Sequence, residues 1–448
     1  MYNRAEIVDE NFTKFVKEGH FPKARTHVNL QESGLSSTEL IDLFESQVIS
    51  RHLDLRARIL KNTNQSFYTI GSSGHEGNAV FGKVFRMTDM AFLHYRSGAL
   101  MIQRAKQLPG STPVYDTMLS FAASSDEPIA GGRHKVFGSL PLLVPPQTST
   151  IASHLPKAVG AALSITRARD LGHKGIMPND SLVICTFGDA SANHSTALGA
   201  INTAAWTAYQ KVRLPLIFIC EDNGLGISVS TPPGWIENNF STKPALQYIK
   251  VDGLNLLDIY KKTKALEETV RAGRKPAFLH METVRLMGHA GSDMEFGYHT
   301  QEKIEALEFN DPLLHSARII LENKLLSPEE ILKLYEDERS RVEHVGLAAI
   351  LRPKLLKPED IRSTVTACAE QKTAPPAPPE HVREKTFGRE YAKLFNAPTY
   401  GKADQLWFDR FDVALSPGHG FRRRCGAKRR RVQCHRWIIC QVWREKSF

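Results

Sequence analysis

An α/β fold, a parallel sheet flanked by helices, is predicted by three features in the middle of this 448-residue chain. Val183-Ile184-Cys185-Thr186-Phe187 is an unbroken, mostly apolar run that ends in Gly188-Asp189-Ala190. Leu216-Ile217-Phe218-Ile219-Cys220 is a second run, ending in Glu221-Asp222-Asn223-Gly224. Between them lies a small-residue stretch of helical character. Continuous apolar runs mark strands buried on both faces. A strand–helix–strand crossover makes such strands parallel and is right-handed. Asp189 and Asn223 then share the carboxyl edge of the sheet, where open α/β sheets bind ligands.

The remaining elements follow in chain order. Met1-Tyr2-Asn3-Arg4-Ala5-Glu6 opens the chain without an apolar leader segment, and no apolar run is long enough to span a bilayer. Residues 36–62 read as an amphipathic helix capped by Ser37 or Thr38. Helical patterns return at 255–272, 301–307 and 328–341, and Ala277–Arg285 is strand-like. Six cysteines without close pairs argue against a disulfide framework and for a reducing, cytoplasmic compartment. Cys185 and Cys220, inside the two apolar runs, are expected to be inert core residues.

Asp189 and Asn223 offer two hard oxygen donors, which leave room for a Mg2+ that keeps waters or takes phosphate oxygens. The pair resembles the Gly-Asp-Gly…Asn-Asn motif of thiamine diphosphate enzymes, specifically the α subunit of 2-oxo acid dehydrogenases, the E1 component. Ala190 departs from the second Gly and Asp222 from the first Asn. The resemblance implies Mg2+ held by Asp189, Asn223 and the carbonyl of Leu225, with Gly188 and Ala190 lining the cofactor. Upstream, Phe92-Leu93-His94-Tyr95-Arg96 resembles the family's Tyr-Arg pair, which contacts the diphosphate; a guanidinium suits this because its planar fork binds phosphate oxygens bidentately. Gly74-His75-Glu76-Gly77 is similar to a Gly-Gln-Glu segment. Gly131-Gly132-Arg133-His134 and Leu155-Pro156-Lys157-Ala158-Val159-Gly160 follow further family segments. His154, where Gln is commoner, either lines the pocket or is satisfied by local hydrogen bonds. Downstream, Glu282-Thr283-Val284-Arg285 leads to Gly288-His289-Ala290-Gly291-Ser292-Asp293, then Tyr298 and Asn310-Asp311-Pro312. The resemblance gives His289 a catalytic role on the diphosphate side.

An E1 α-type domain is expected over 1–365; composition then marks a Pro-rich linker and charged segment over 366–400 and a distinct tail over 401–448. That tail holds twelve Lys and Arg against four Asp and Glu, a net of +8 out of the chain's +10. Its Arg runs could be read as an anionic-surface patch, and Cys425, Cys434, His435 and Cys440 as zinc ligands, although no standard zinc spacing is present. A shift of one base fits better. Codons can be chosen for Phe421–Cys425 that, moved by one base, read Phe-Gly-Glu-Asp-Val, and the same shift lets the remainder be read as a string that resembles the opening of the family's β subunit. The tail is therefore expected to be an out-of-frame, disordered piece of an α–β fusion that ends before the β-type general acid/base. On this reading its charge implies no nucleic-acid or membrane partner. The resemblance implies an E1 β-type subunit, a lipoyl-bearing E2 acyltransferase and an α2β2-like oligomer. An acetoin-type dehydrogenase subunit and an inactive remnant are the alternatives.

Overall fold

The computed structural model describes residues 3–66, 68, 70–172, 175–364, 379–388 and 391–392. The chain divides into two units, Met1–Arg362 and Ser363–Phe448. In the second, the described residues form a helix over Glu380–Phe387. The expected basic tail and most of the expected linker lie outside the described residues.

The described residues of the first unit contain seven strands: β1 (Met90–Phe92), β2 (Val183–Gly188), β3 (Leu216–Asp222), β4 (Leu225–Gly226), β5 (Val229–Ser230), β6 (Gln247–Asp252) and β7 (Ala277–Glu282). Five of them build one parallel sheet in the order β1-β2-β3-β7-β6, while β4 and β5 form a small antiparallel pair. The predicted α/β class is what the chain adopts, and Cys185 and Cys220 are buried free thiols.

Strand periodicity sorts the apolar runs between two cores. Val183, Cys185, Phe187, Phe218, Cys220 and Phe278 face one cluster, together with Leu155, Ala158 and Ile201 from the helices His154–Asp170 and Ser195–Tyr209. Ile184, Ile217, Ile219, Leu279 and Met281 face the other, with Phe44, Val48, Ile259 and Tyr335. Both faces are covered, which is why β2 and β3 show no polar alternation.

Two helix expectations need correction. The cap of the helix Ser37–Asn62 is Ser36, one residue earlier than expected, because Glu39 sits three residues on and closes a reciprocal capping box. The helix is also not amphipathic through its middle, where Ser46 to Leu55 are all buried. Its charged residues there are paired rather than solvated. Arg51 donates to Glu76 (2.8 Å) and bidentately to Asp311 (2.7 and 2.8 Å). Asp54 accepts from the main-chain N–H groups of Ser72 and Ser73. Glu76, drawn into this ion cluster, also accepts from Gly74 N–H. A side chain at Gly74 would meet the Val284 carbonyl at 2.2 Å, so only glycine allows the 72–76 segment to lie against the strand exit of β7.

Candidate active site at the carboxyl edge of the sheet

The sheet order sets which chain segments meet. Register pairs Gly188 with Glu221 and Asp222 with Glu282, so the exits of β2, β3 and β7 lie side by side. Beyond β1 comes His94-Tyr95-Arg96, beyond β2 Asp189-Ala190, beyond β3 Asn223-Gly224-Leu225, and beyond β7 the loop to His289.

Asp189 is almost fully buried and accepts a hydrogen bond from the Thr231 hydroxyl. Thr231 reaches it because the β4–β5 hairpin folds back, with Thr231 N–H donating to the Gly224 carbonyl (2.9 Å). Burial first, then the nearby Asp222 charge, pushes the Asp189 carboxyl up to about 6. Among the described residues neither carboxylate pairs with a Lys or Arg; Asp222 instead bonds His280 (2.9 Å), which bonds Tyr248 (2.7 Å). The buried Asp189 carboxylate, beside the half-buried Asp222 and without a Lys or Arg partner, is a donor that fits a divalent cation. Ala190, at the expected second-glycine position, fills space that a Gly226 side chain would need: a Cβ there would lie 2.6 Å from the Ala190 methyl.

Asn223 is held in one orientation. Glu221 accepts from His75 Nδ1–H (2.7 Å), so His75 Nε2 is left to accept from the Asn223 side-chain N–H (2.8 Å). The Asn223 amide oxygen then points the other way, where it accepts from Leu225 N–H (3.0 Å). Asn78 supports the same cluster by donating to Glu221 (3.2 Å) and to the Arg96 carbonyl (3.0 Å).

Arg96 and His289, distant in sequence, meet. Arg96 Nη2 donates to His289 Nδ1 (3.2 Å), Nη1 donates to the Gly71 carbonyl, and the guanidinium lies 5.0 Å from the Tyr95 ring. The Tyr95 and His289 rings are 6.0 Å apart, edge to face. An arginine can only donate, so His289 accepts at Nδ1 and carries its proton on Nε2. Burial, then the charges of Arg96 and Arg285, pushes His289 down to about 4, so the ring is neutral at pH 7. Its loop is fixed by Asp293, which accepts from His289 N–H (2.6 Å) and from the Tyr298 hydroxyl (2.6 Å). Arg285 donates to that same hydroxyl and to the Ile227 carbonyl, tying the loop to the hairpin.

Other expected segments serve elsewhere. Glu76 and Asp311 belong to the Arg51 ion cluster. Arg133 donates to the carbonyls of Asp360 (2.7 Å) and Ile361 (3.3 Å). His154 bonds the Thr186 carbonyl on β2 (2.8 Å) through Nε2, while its Nδ1 has no hydrogen-bond partner. Sequence reasoning missed His94, Glu221, Asn78, Thr231 and His280. Of these only His94 and Glu221 carried a signal, as polar residues at strand exits.

The family model for the dehydrogenase E1 component matches residues 45–350. The chain is 27% identical over 335 residues to the 2-oxoisovalerate dehydrogenase subunit alpha of Bacillus subtilis, covering 71% of this chain and 95% of that protein. It is 26% identical over 313 residues to the 2-oxoisovalerate dehydrogenase subunit alpha, mitochondrial, of Caenorhabditis elegans, covering 67% and 68%. It is 31% identical over 176 residues to the pyruvate dehydrogenase E1 component subunit alpha, mitochondrial, of Dictyostelium discoideum, covering 39% of this chain and 45% of that protein. The chain thus spans less than half the length of that pyruvate-type relative. With a parallel sheet whose carboxyl edge gathers these segments, the chain belongs to the dehydrogenase E1 component family, as an α-type chain of the thiamine diphosphate-using 2-oxo acid dehydrogenases.

Proposed function

We propose that the chain binds thiamine diphosphate through a Mg2+ on Asp189, Asn223 and the Leu225 carbonyl, with Tyr95, Arg96 and His289 on the diphosphate. Gly188 and Ala190 line the cofactor. The meeting of Arg96 with His289 at the edge that carries Asp189 carries this reading. When bound, the cofactor acts as an electron sink for decarboxylation of a 2-oxo acid. The chain's own residues position it. Asp189 and the fixed Asn223 oxygen hold the cation. Arg96 supplies a permanent positive charge for charge-assisted hydrogen bonds to phosphate oxygens. Neutral His289 presents Nε2–H as a donor toward the same anion or the reacting substrate.

The reaction is oxidative decarboxylation with acyl transfer to a lipoyl group on an E2 acyltransferase, and it requires a β-type chain, in an α2β2-like assembly, for its general acid/base. Branched-chain 2-oxo acids are the favoured substrates, because the match covers most of the 2-oxoisovalerate relatives and less of the pyruvate-type ones. Among the described residues no helix is long and apolar enough to cross a membrane; the buried free thiols support a reducing, cytoplasmic compartment as the proposed location. The domain runs over 1–365, followed by the linker at 366–400 and an out-of-frame tail at 401–448. Calorimetry of thiamine diphosphate binding with and without Mg2+ tests the site. Decarboxylation of 2-oxoisovalerate and pyruvate, assayed before and after adding a β-type chain, tests the activity. Mg2+-independent binding, or turnover by the chain alone, would overturn the corresponding part.

A further inference from the structure

A cluster beside the cofactor's cation site has the composition of a different metal centre. One ligand atom each of His75, His94 and Glu221 lies within 4.8 Å of the other two, and all three residues are buried. His94 is 5% exposed, yet neither ring nitrogen has a hydrogen-bond partner. Glu221 Oε1 is likewise buried and unpartnered. Such orphaned polar atoms each cost a desolvation penalty of about 1–3 kcal/mol, and here they share one cluster. Gly188 lies against the same ring: a Cβ there would be in van der Waals contact with His94, 3.5 Å from Nε2.

We propose that His75, His94 and Glu221 form a binding site for a divalent transition metal of the zinc type. Two imidazoles and one carboxylate are the ligands of three-residue zinc centres, with a fourth position left for water, whereas Mg2+ prefers an all-oxygen shell. His94 contributes a free ring nitrogen, Glu221 its carboxylate, and His75 its Nδ1. Closing ligand distances to the roughly 2.0–2.1 Å of zinc–nitrogen bonds requires the three side chains to draw together.

The site carries a consequence for its neighbour. His75 Nδ1 now donates to Glu221 and Nε2 accepts from Asn223. A metal on Nδ1 moves that proton to Nε2, and the Asn223 amide must then turn its oxygen toward His75 to accept it. That oxygen is the one assigned to Mg2+, so zinc occupancy and Mg2+-dependent cofactor binding oppose each other. This second step rests on the proposed role of Asn223; the metal site itself does not.

The test uses the full chain stripped with a chelator and titrated with Co2+, whose visible absorption reports imidazole coordination, followed by displacement with Zn2+. A tetrahedral-type spectrum that is lost in His94→Gln and Glu221→Gln, and kept in Asp189→Asn, is the expected result. Affinity should fall by roughly hundredfold in each ligand variant, at the upper end of what even outer-sphere partners contribute. Circular dichroism and thermal unfolding of the two variants separate loss of a ligand from loss of the fold. Absence of a Co2+ spectrum in the wild-type chain, its persistence in folded His94→Gln, or its loss in Asp189→Asn overturns the site. Zinc should also weaken Mg2+-dependent thiamine diphosphate binding by about tenfold, 1.4 kcal/mol. A Co2+ site that forms while cofactor affinity stays constant overturns the coupling through Asn223 and leaves the metal centre standing.

Discussion

Two buried polar clusters lie within this domain, and they are built on opposite principles. Around Arg51 every charged group has partners: one guanidinium shares its donors between two acids, Glu76 and Asp311, and each acid also takes a main-chain N–H. At the sheet edge the matching is left incomplete. Asp189 lies near Asp222 without a cation, His94 has two idle nitrogens, and Glu221 has one idle oxygen. The first cluster holds the architecture together, whereas the second holds unsatisfied groups ready for a ligand. What separates the sheet edge from the Arg51 cluster is that its unpartnered atoms, on His94 and Glu221, gather in one place.

Arg51→Met would break this comparison most severely. It leaves Glu76 and Asp311 buried without their countercharge, and removing one member of a buried ion pair costs about 3–5 kcal/mol. Urea unfolding should show that loss, and a variant as stable as wild type would contradict the architectural role.

Asp189→Asn should act in the opposite sense. Mg2+-dependent thiamine diphosphate affinity should fall by roughly hundredfold, about 2.7 kcal/mol. Stability should hold or rise, because a desolvated carboxylate near another has been neutralised. Calorimetry paired with thermal unfolding reads both, and a marked loss of stability would place Asp189 with the architectural cluster.

The pH dependence sharpens the contrast through His52, buried in the same helix as Arg51. Its Nε2 bonds the Tyr335 carbonyl (2.8 Å), and burial pushes it down to about 3. In the unfolded chain it takes a proton near pH 6.5. Between pH 6.5 and 3 the unfolded state therefore holds a proton that the folded state excludes. Stability falls as pH drops through that window, by about 1.4 kcal/mol per unit for this group. Denaturant titrations at pH 7, 6 and 5 check it, and His52→Gln should flatten the slope.

The smallest effect concerns Gly226. Gly226→Ala drives a methyl into that of Ala190 and should cost about 1–3 kcal/mol, the usual scale of overpacking. The double variant with Ala190→Gly should recover most of it, since the colliding atom is gone. A cycle without coupling would show that the hairpin simply moves aside.

Much of this was legible in the sequence, for identifiable reasons. Strands β2 and β3 announced themselves because both faces are buried, which removes polar alternation. Their ends placed Asp189 and Asn223 on one edge, and the segments carrying Arg96 and His289 were recognisable beside them. The Arg51 helix misled because Arg51, His52 and Asp54 look like a solvent face when read locally. Their partners include Asp311 and Tyr335, hundreds of residues away. The cluster of His75, His94 and Glu221 was equally hidden, since it depends on the register of β2 with β3 and on where the 72–76 segment is laid down. The Ser36 cap differed by one position, the usual scale of uncertainty at a helix end.

The strand order also dictates when the cofactor edge comes into being. β3 acquires its second neighbour only after the chain has travelled out to the edge strand β6 and returned as β7. The loop that follows β7 is then pinned by the other end of the protein: Arg4, in the first helix, donates to the Leu286 carbonyl and pairs with Glu295 and Glu308. Long-range parallel pairing closes slowly, so during synthesis the N-terminal helix must wait for residues made much later. Until Glu308 has left the ribosome, Arg4 lacks one of its two acidic partners, and the loop after β7 relies on its own contacts through Asp293 and Arg285. A nascent chain stalled before that point would already contain Asp189, Asn223 and His289, with the clamp from the N-terminal helix still incomplete.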